Sequence, residues 1–298
     1  MVKILVLGAS GMLGHTVSRV LRFENLLVTD GVRSSKSELG FNPELVFDAS
    51  YPFSLQDQYD LSVYDFVINC SGVIKQKSNE ENSAEIENAI KVNSLFPFAL
   101  SDMAQKYGFK VIQIATDCVY DGSEGRYTEK SIHNANDVYG KTKSLGEVKS
   151  KEVMNIRTSI IGLERNSSFS LLSWFLSQQN NTKIEGYTNH QWNGVTTYHF
   201  AKVVAGIIKN SEFEAGTFHL VPADDVSKYQ LLHFFSTYFD REDLEIVENA
   251  ENEPIDRTLS TLYQASNQRL WKSAGYNEPQ RISSMIQEYS EWSRSNNA

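Results

Sequence analysis

Three glycines near the N-terminus constrain the fold of this chain more than any other feature. Gly8, Gly11 and Gly14 form a GxxGxxG pattern, which follows the apolar run 2–7 and opens a helical pattern over 12–23. Glycine at such a turn lets the backbone approach a pyrophosphate closely, and the helix N-terminus supplies amide donors and a partial positive charge. The pattern therefore predicts a dinucleotide-binding turn between a first strand and a first helix.

Alternating strand and helix patterns continue through the first half of the chain. Further strands are predicted at 26–29, 45–47, 66–69, 111–115 and 153–158, and further helices at about 84–106 and 138–150. Repeated strand–helix units form parallel sheets that helices cover on both faces. We therefore predict an α/β fold with a Rossmann-type, doubly wound parallel sheet, and we assign residues 1–157 to an NAD(P)-binding domain.

The second half of the chain has a weaker periodicity. Residues 166–192 are polar and aromatic, whereas 197–208 return to helical spacing with an apolar stripe. Neither an internal repeat nor a low-complexity linker separates the two halves. We expect residues 158–298 to form a smaller α+β substrate-binding lobe, with the helix at about 197–208 returning to the cofactor domain.

The charge balance and the cysteine count exclude several classes of function. The chain has 298 residues and a net charge of −9, which is unfavourable for binding nucleic acid or anionic membranes. No segment approaches the ~20 apolar residues that span a bilayer, and the first apolar run is too short for a signal peptide. Two cysteines and the lack of CxxC and HExxH patterns indicate neither a disulfide framework nor a metal site. We expect a cytoplasmic protein with no metal, nucleic acid or membrane partner, and a homodimer is left open.

Two Tyr-x-x-x-Lys pairs are candidates for proton transfer, Tyr139 with Lys143 and Tyr198 with Lys202. The four-residue spacing places phenol and ammonium on one helix face, where the cation is expected to lower the pKa of the tyrosine. Such a phenol can donate a proton to a carbonyl oxygen while hydride arrives at the carbon. Thr116 ends a predicted strand upstream of Tyr139, so two hydroxyl donors could hold one carbonyl oxygen. We predict that Tyr139 is catalytic and that Tyr198 belongs to ordinary packing.

The segment after the second predicted strand bears on the choice of cofactor. Asp30 is suited to the ribose hydroxyls of NAD, whereas Arg33, with Ser34 and Ser35, is suited to the 2′-phosphate of NADP. One cation and two hydroxyls favour NADP(H), and NAD(H) stays an alternative.

Longer motifs carry a family resemblance. The GxxGxxG turn resembles the short-chain dehydrogenase/reductase superfamily. The segments TDCVYDG (116–122), YTE (127–129) and YGKTKSLGE (139–147) resemble the dTDP-4-dehydrorhamnose reductase family, in the extended, sugar-nucleotide-modifying branch of that superfamily. The resemblance extends from residue 8 to about residue 275. It implies reduction of the 4-keto group of a nucleotide-linked 6-deoxyhexulose by NAD(P)H, in the biosynthesis of deoxysugar precursors of polysaccharides.

The resemblance also implies roles for individual residues. Tyr139 would donate the proton, Thr116 would polarise the carbonyl and Lys143 would hold the nicotinamide ribose. Asn93 would belong to the proton relay, and Asp48 would accept a hydrogen bond from the adenine amino group. The expected cofactor-binding residues are Gly8, Ser10, Gly11, Met12, Leu13, Gly14, Arg33, Ser34, Asp48, Ala49, Cys70, Ser71, Gly72, Tyr139 and Lys143.

A second group of residues is expected to contact the substrate. It consists of Thr116, Asp117, Trp192 and Arg257, and the guanidinium of Arg257 is expected to clamp the substrate pyrophosphate. Arg157 is expected at the end of the last strand of the sheet, beside the mouth of the active site.

Cys118 departs from the family pattern. The reductases often have tyrosine at this position and the related 4,6-dehydratases have glutamate, so a cysteine argues against dehydration. Two other functions stay open: a nucleotide-sugar 4-epimerase that retains NAD, and a non-enzymatic NADP-binding subunit like the regulatory subunit of methionine adenosyltransferase. Asp117 after Thr116, and Asp121-Gly122 after Tyr120, favour the reductase.

Overall fold

The computed structural model describes residues 1–34, 45–165, 167–250 and 253–296. Its strands are β1 (Lys3–Leu7), β2 (Leu27–Val32), β3 (Leu45–Val46), β4 (Phe66–Asn69), β5 (Lys110–Ala115), β6 (Val153–Arg157), β7 (Ile160–Ile161), β8 (Lys183–Tyr187), β9 (His190–Trp192), β10 (Val195–Thr196), β11 (Gly216–His219), β12 (Val226–Ser227), β13 (Glu245–Asn249) and β14 (Ile255–Asp256). Its α-helices are α1 (Met12–Phe23), α2 (Ser54–Gln58), α3 (Ser83–Ala89), α4 (Phe96–Tyr107), α5 (Val138–Leu145), α6 (Leu171–Leu176), α7 (Thr197–Lys209), α8 (Lys228–Tyr238), α9 (Gln264–Ser273) and α10 (Ile282–Asn296).

Seven parallel strands form the main sheet, in the order β11-β6-β5-β4-β1-β2-β3. The strand order reverses between β1 and β4, and in doubly wound sheets ligands bind at such a switch point, outside the carboxyl ends of the strands. The α/β, Rossmann-type prediction is therefore confirmed.

The edge strand β11 was not predicted. It comes from the second half of the chain and pairs with β6 in parallel, with Thr217 opposite Asn155. Arg157 therefore ends the penultimate strand of the sheet, and the expectation that it ends the last strand is wrong. The sequence of β11, GTFH, is short and contains no apolar run, so its pairing depends on β6 rather than on its own pattern.

The two faces of the sheet bury separate apolar clusters. Along β1, Ile4 and Val6 face the cluster that includes α1 and α7, whereas Leu5 and Leu7 face the cluster that includes α4. All four side chains are fully buried, as expected for a central parallel strand. The helix predicted at about 197–208 is α7, and it packs along α1.

Two predicted helices differ in detail. The helix expected over 84–106 consists of α3, a π-helical turn at Ile90–Leu95, and α4. The helix expected over 138–150 ends at Leu145, because Gly146 closes it by donating its amide to Thr142 and the chain then turns away. None of the helices in the described ranges is both long and apolar enough to cross a membrane.

The remaining strands form three small sheets outside the main one. β10 pairs with β7, β13 pairs with β8, and β9 lies between β12 and β14. Helices α6, α8, α9 and α10 complete this part of the chain. It has the mixed α and β content expected of the second half, and the division at residue 157 stays a prediction.

Candidate active site

The glycine turn lies where β1 meets α1, at the switch point of the sheet. Gly8 has φ of +75°, and a Cβ on it would lie 2.9 Å from the backbone of Cys70 and Ser71 at the end of β4. A Cβ on Gly14 would collide with the carbonyl of Gly8. The N-cap of α1, Gly11, has no side chain to accept from the first helical amides. The turn thus presents backbone amides in a cradle without side chains, which fits a dinucleotide pyrophosphate.

The end of β2 carries two charges in different environments. Asp30 is 2% exposed, and its carboxylate accepts a hydrogen bond of 2.8 Å from Arg22 on α1. Arg33 is exposed, and within the described part of the chain its guanidinium has no hydrogen-bond or ion-pair partner. Ser34 is exposed beside it, whereas Ser35 lies outside the described residues. The cation suited to a 2′-phosphate is thus free, and the acid suited to ribose hydroxyls is already paired.

The expected adenine and nicotinamide contacts follow β3 and β4. Asp48 accepts the Ser50 amide at 2.9 Å and so forms a turn after β3, with Ala49 buried beside it. After β4, the Ser71 amide donates to Asn69 at 3.1 Å. Burial raises the pKa of the Cys70 thiol to about 12, so this side chain is a neutral part of the wall and not a nucleophile.

Thr116 and Tyr139 are brought together by two short elements. Thr116 follows β5, donates to the Asp117 carboxylate at 3.2 Å and accepts the Cys118 amide at 3.2 Å, which begins a 3-10 turn. Helix α5 begins next to this turn, and a Cβ on Gly140 would collide with the carbonyl of Cys118. Glycine at this position lets α5 pack closely against the turn that follows Thr116, so that the Thr116 hydroxyl influences the pKa of the Tyr139 phenol.

The protonation of this pair differs from the expectation. Burial raises the pKa of Tyr139, the nearby Cys118 raises it further, and the Thr116 hydroxyl only partly opposes both. Lys143 donates to the Ile114 carbonyl at 2.9 Å, and burial lowers its own pKa to about 8. The expected lowering of the tyrosine pKa by this lysine is therefore wrong. A high pKa keeps the phenol protonated at neutral pH, which is the form that can donate a proton.

Asn93 lies in the π-helical turn and joins three elements. Its amide group donates to the Val73 carbonyl at 3.0 Å and to the Thr142 hydroxyl at 3.1 Å, and its oxygen accepts the Val73 amide at 2.8 Å. The loop after β4, where Gly72 lies, is thereby fixed against the residue that precedes Lys143. These contacts position the catalytic helix, and a part in proton relay stays a prediction.

Arg257 is placed by hydrogen bonds between two loops. The Asp256 amide donates to Gly122 at 2.8 Å, and the Tyr127 amide donates to Thr258 at 2.9 Å. Arg257 then donates its Nε to the Tyr120 carbonyl at 2.9 Å, and no described residue accepts from its terminal nitrogens.

Asp117 and Arg257 are linked through Tyr120, whose amide donates to the Asp117 carbonyl at 3.0 Å and whose own carbonyl accepts from Arg257. The carboxylate is 7% exposed, and burial raises its pKa while Arg257 and Lys228 act in the opposite direction. Both predicted substrate residues therefore border the region of Thr116.

Trp192 and Lys228 form the adjoining wall. Trp192 is 4% exposed, and its indole nitrogen donates to the Ser159 hydroxyl at 2.9 Å. The ammonium of Lys228 lies 5.6 Å from the centre of the Trp192 ring. Burial lowers the pKa of Lys228 to about 8, and Asp117 is the neighbour that most opposes this. Sequence reasoning missed Lys228 because nothing in its local pattern separates it from an ordinary first residue of a helix.

Arg157 does not border the candidate site. It is 1% exposed, and its guanidinium donates to Glu147, to the Tyr120 hydroxyl and to the Nε2 atoms of His219 and His133. The expectation of a residue at the active-site mouth is wrong, because the strand end lies under the loop that contains Tyr120.

The second Tyr-x-x-x-Lys pair lies between α7 and α10. The ammonium of Lys202 donates to the Tyr276 hydroxyl at 2.8 Å and pairs with Glu288, while Tyr198 stacks on Trp292 at 5.0 Å. These partners assign the pair to helix packing. Among the described residues, no group of three or more histidine, cysteine or acidic side chains is arranged to hold a metal ion.

Comparisons with known proteins agree with this geometry. Residues 2–271 match the model of the family described as the RmlD substrate binding domain. The chain is 26% identical to a dTDP-4-dehydrorhamnose reductase of Aggregatibacter actinomycetemcomitans over 271 residues, which cover 88% of this chain and 85% of the relative.

Solved structures show the same fold. A dTDP-4-dehydrorhamnose reductase of Clostridium acetobutylicum superposes with a TM-score of 0.74 at 21% identity, over 98% of this chain and 99% of the other. A dTDP-4-dehydrorhamnose reductase of Bacillus anthracis in complex with NADP gives a TM-score of 0.74 at 16% identity, over 97% of this chain and 99% of the other.

Proposed function

Since the chain belongs to the RmlD substrate binding domain family, as its motifs predicted, we propose that it is an NAD(P)H-dependent reductase of a nucleotide sugar. The substrate is a 4-keto-6-deoxy sugar linked to a nucleoside diphosphate, similar to the substrate named for its reductase relatives. The observation that carries this proposal is the packing of the Tyr139 helix, through Gly140, against the turn that Thr116 begins. The glycine turn at the switch point of the same sheet completes it.

The residues of the chain provide acid catalysis and orientation. When bound, the nicotinamide cofactor supplies the hydride that reduces the 4-keto carbon. The Tyr139 phenol donates its proton to the carbonyl oxygen as negative charge develops there, and the Thr116 hydroxyl stabilises the same oxygen by a hydrogen bond. Burial keeps the tyrosine pKa high, so the phenol carries a proton before each turnover. Lys143 is the cation that would orient the nicotinamide ribose, and Asn93 supports the helix that carries it.

NADP(H) is the favoured cofactor within this proposal. The free guanidinium of Arg33 provides a partner for a 2′-phosphate, and the pairing of Asp30 with Arg22 removes the acid that would select NAD. Asp48 and the backbone of Ala49 would flank the adenine, and Ser10, Met12 and Leu13 would contribute amides at the pyrophosphate.

The Tyr139→Phe variant tests the assignment of the proton donor. It removes the hydroxyl while keeping the ring, so we expect turnover to fall about 10²- to 10⁴-fold with NADPH affinity unchanged. The assay is the oxidation of NADPH, followed by its absorbance, with dTDP-4-dehydrorhamnose as the substrate. Tyr198→Phe is the matched control, because it makes the same change in the packing pair. Wild-type turnover by Tyr139→Phe would refute the assignment.

The same assay separates the two other functions. Tightly held NAD⁺ after extensive dialysis, with interconversion of UDP-hexoses and no net change in nicotinamide absorbance, would indicate a 4-epimerase. A lack of turnover with every nucleotide sugar, together with co-purification of a second protein at a fixed ratio, would indicate a regulatory subunit.

A further inference from the structure

Two cations in the wall of the candidate site, Lys228 and Arg257, form no ion pair with any described residue. Lys228 follows β12 and Arg257 follows β14, and these strands flank β9, which ends at Trp192. Within the described ranges, nothing accepts a hydrogen bond from the Lys228 ammonium or from the terminal nitrogens of Arg257. Cations on a partly buried surface are ordinarily paired, so this arrangement calls for an anion from outside the chain.

The nearest carboxylate does not neutralise the two cations. Asp117 influences the titration of Lys228, but among the described residues it forms no ion pair within 4.0 Å with either cation. Its hydrogen bonds go to Thr116 and to the Cys118 thiol instead. Arg257 also influences the pKa of Asp137, but that carboxylate already pairs with Lys75 at 2.7 Å, so neither acid neutralises the two cations.

Local structure does not explain a lysine at this position. Lys228 is the first residue of α8, whose N-cap Ser227 forms a capping box with Gln230. A cation in the first turn is unfavourable for the helix, because the N-terminal end of the helix dipole is itself positive. The Trp192 ring nevertheless lies under the ammonium, and the Ser159 hydroxyl fixes that ring. The protein thus orients the Lys228 ammonium, although this ammonium forms no ion pair with a described carboxylate.

We propose that Lys228 is a substrate-binding residue that, together with Arg257, binds the diphosphate of the nucleotide sugar. This inference rests on the proposed function, and it extends the pyrophosphate site from one cation to two. A diphosphate offers several charged oxygens, so it can accept a fork of hydrogen bonds from a guanidinium and a further one from an ammonium. Trp192 acts as a positioning residue that holds Lys228 toward this group.

Binding measurements with Lys228→Met test the proposal without requiring turnover. The probes are dTDP and UDP, with thymidine and uridine as the matching nucleosides that lack phosphate. Losing one charge-assisted contact should raise the Kd for the nucleoside diphosphate about 10- to 100-fold, while the nucleoside and NADPH bind as they do to wild type. Lys228→Arg should retain most of the affinity, and Lys272→Met, at an exposed lysine of α9, should retain all of it.

Three results would overturn the proposal. Wild-type affinity of Lys228→Met for the nucleoside diphosphate would overturn it, and so would a loss confined to the nucleotide sugar, since that result would place the lysine against the sugar. Failure of the wild-type protein to bind either nucleoside diphosphate would also overturn it. If the protein reduces no nucleotide sugar but Lys228→Met still weakens dTDP or UDP as expected, the two-cation site stands and only the proposed reaction fails.

Discussion

At the scale of single residues, we predict that the choice of cofactor depends on Arg33. Its guanidinium is exposed and has no partner within the described residues, whereas Asp30 is buried and held by Arg22. Replacing Arg33 by alanine should therefore raise the Kd for NADPH about tenfold or more and leave the Kd for NADH nearly unchanged. Fluorescence titration with both cofactors measures this, with Arg281→Ala as a control at an exposed arginine. Equal weakening of both cofactors would return the selectivity to Asp30 and NAD.

The same scale shows which site residues a sequence can indicate. Thr116, Tyr139 and Lys143 could be proposed from the sequence because hydride reduction needs a proton donor at a fixed spacing from a cation and a second hydroxyl, and their catalytic roles stay predictions. The proposed role of Lys228 could not be predicted in this way, because it depends on Trp192 and Arg257. These residues are brought to Lys228 by the small β12-β9-β14 sheet. The pKa of Tyr139 was predicted in the wrong direction because spacing along a helix does not reveal burial.

At the scale of elements, Arg157 joins the end of the catalytic helix to the edge of the sheet. Its guanidinium pairs with Glu147, just beyond α5, and also contacts Tyr120 and His219. Arg157→Met would leave the Glu147 carboxylate, whose side chain is 9% exposed, without its cation. We expect the free energy of unfolding in urea to fall by about 3–5 kcal/mol, the usual loss when one partner of a buried ion pair is removed.

Two further variants check that explanation. Arg269→Met breaks ion pairs with Glu212 and Glu214 at the surface and should cost less than about 1 kcal/mol. Adding Glu147→Leu to Arg157→Met should recover part of the loss, since no unpaired charge is then buried. If Arg157→Met lowered the free energy of unfolding no more than Arg269→Met does, the buried ion pair would contribute no more to stability than a surface one.

The elements also divide into those the sequence predicts and those it does not. Strands β1, β4, β5 and β6 were predictable because central parallel strands are buried on both faces and have nearly continuous apolar runs. The two-residue strands β7, β10, β12 and β14 have no pattern of their own, and their positions follow from the chain segments they pair with. The glycine that follows α5 likewise reflects a tertiary contact, since a Cβ on Gly146 would collide with the carbonyl of Asn93.

At the scale of the whole molecule, buried histidines make stability depend on pH. Burial lowers the pKa of His15 and of His219 to about 4, and it also lowers the pKa values of His133 and His199. Unfolded histidines titrate near pH 6.5, so below this pH the unfolded chain binds protons that the folded chain does not. The stabilisation is therefore complete above about pH 6.5 and is lost progressively toward pH 4.

Urea denaturation between pH 7 and pH 5 measures this effect before most carboxylates titrate. Below pH 6 the free energy of unfolding should fall by about 1.4 kcal/mol per pH unit for each histidine that stays neutral in the folded state. In the variant His15→Gln, the free energy of unfolding should fall less steeply with pH, by about 1.4 kcal/mol per pH unit, because one such histidine is missing. A midpoint that does not change between pH 7 and pH 5 would contradict the linkage.

The position of β11 has a consequence for how the chain is made. During synthesis, β6 leaves the ribosome about sixty residues before β11, the strand that covers its outer edge. Until then β6 presents unpaired amides and carbonyls at the edge of the growing sheet, which is the kind of surface on which chains associate wrongly. Arg157 likewise lacks its hydrogen-bond partner His219 until β11 has been synthesised. We therefore expect that residues 1–157 complete their fold only after the chain has been translated as far as β11, which supplies the edge strand of their sheet.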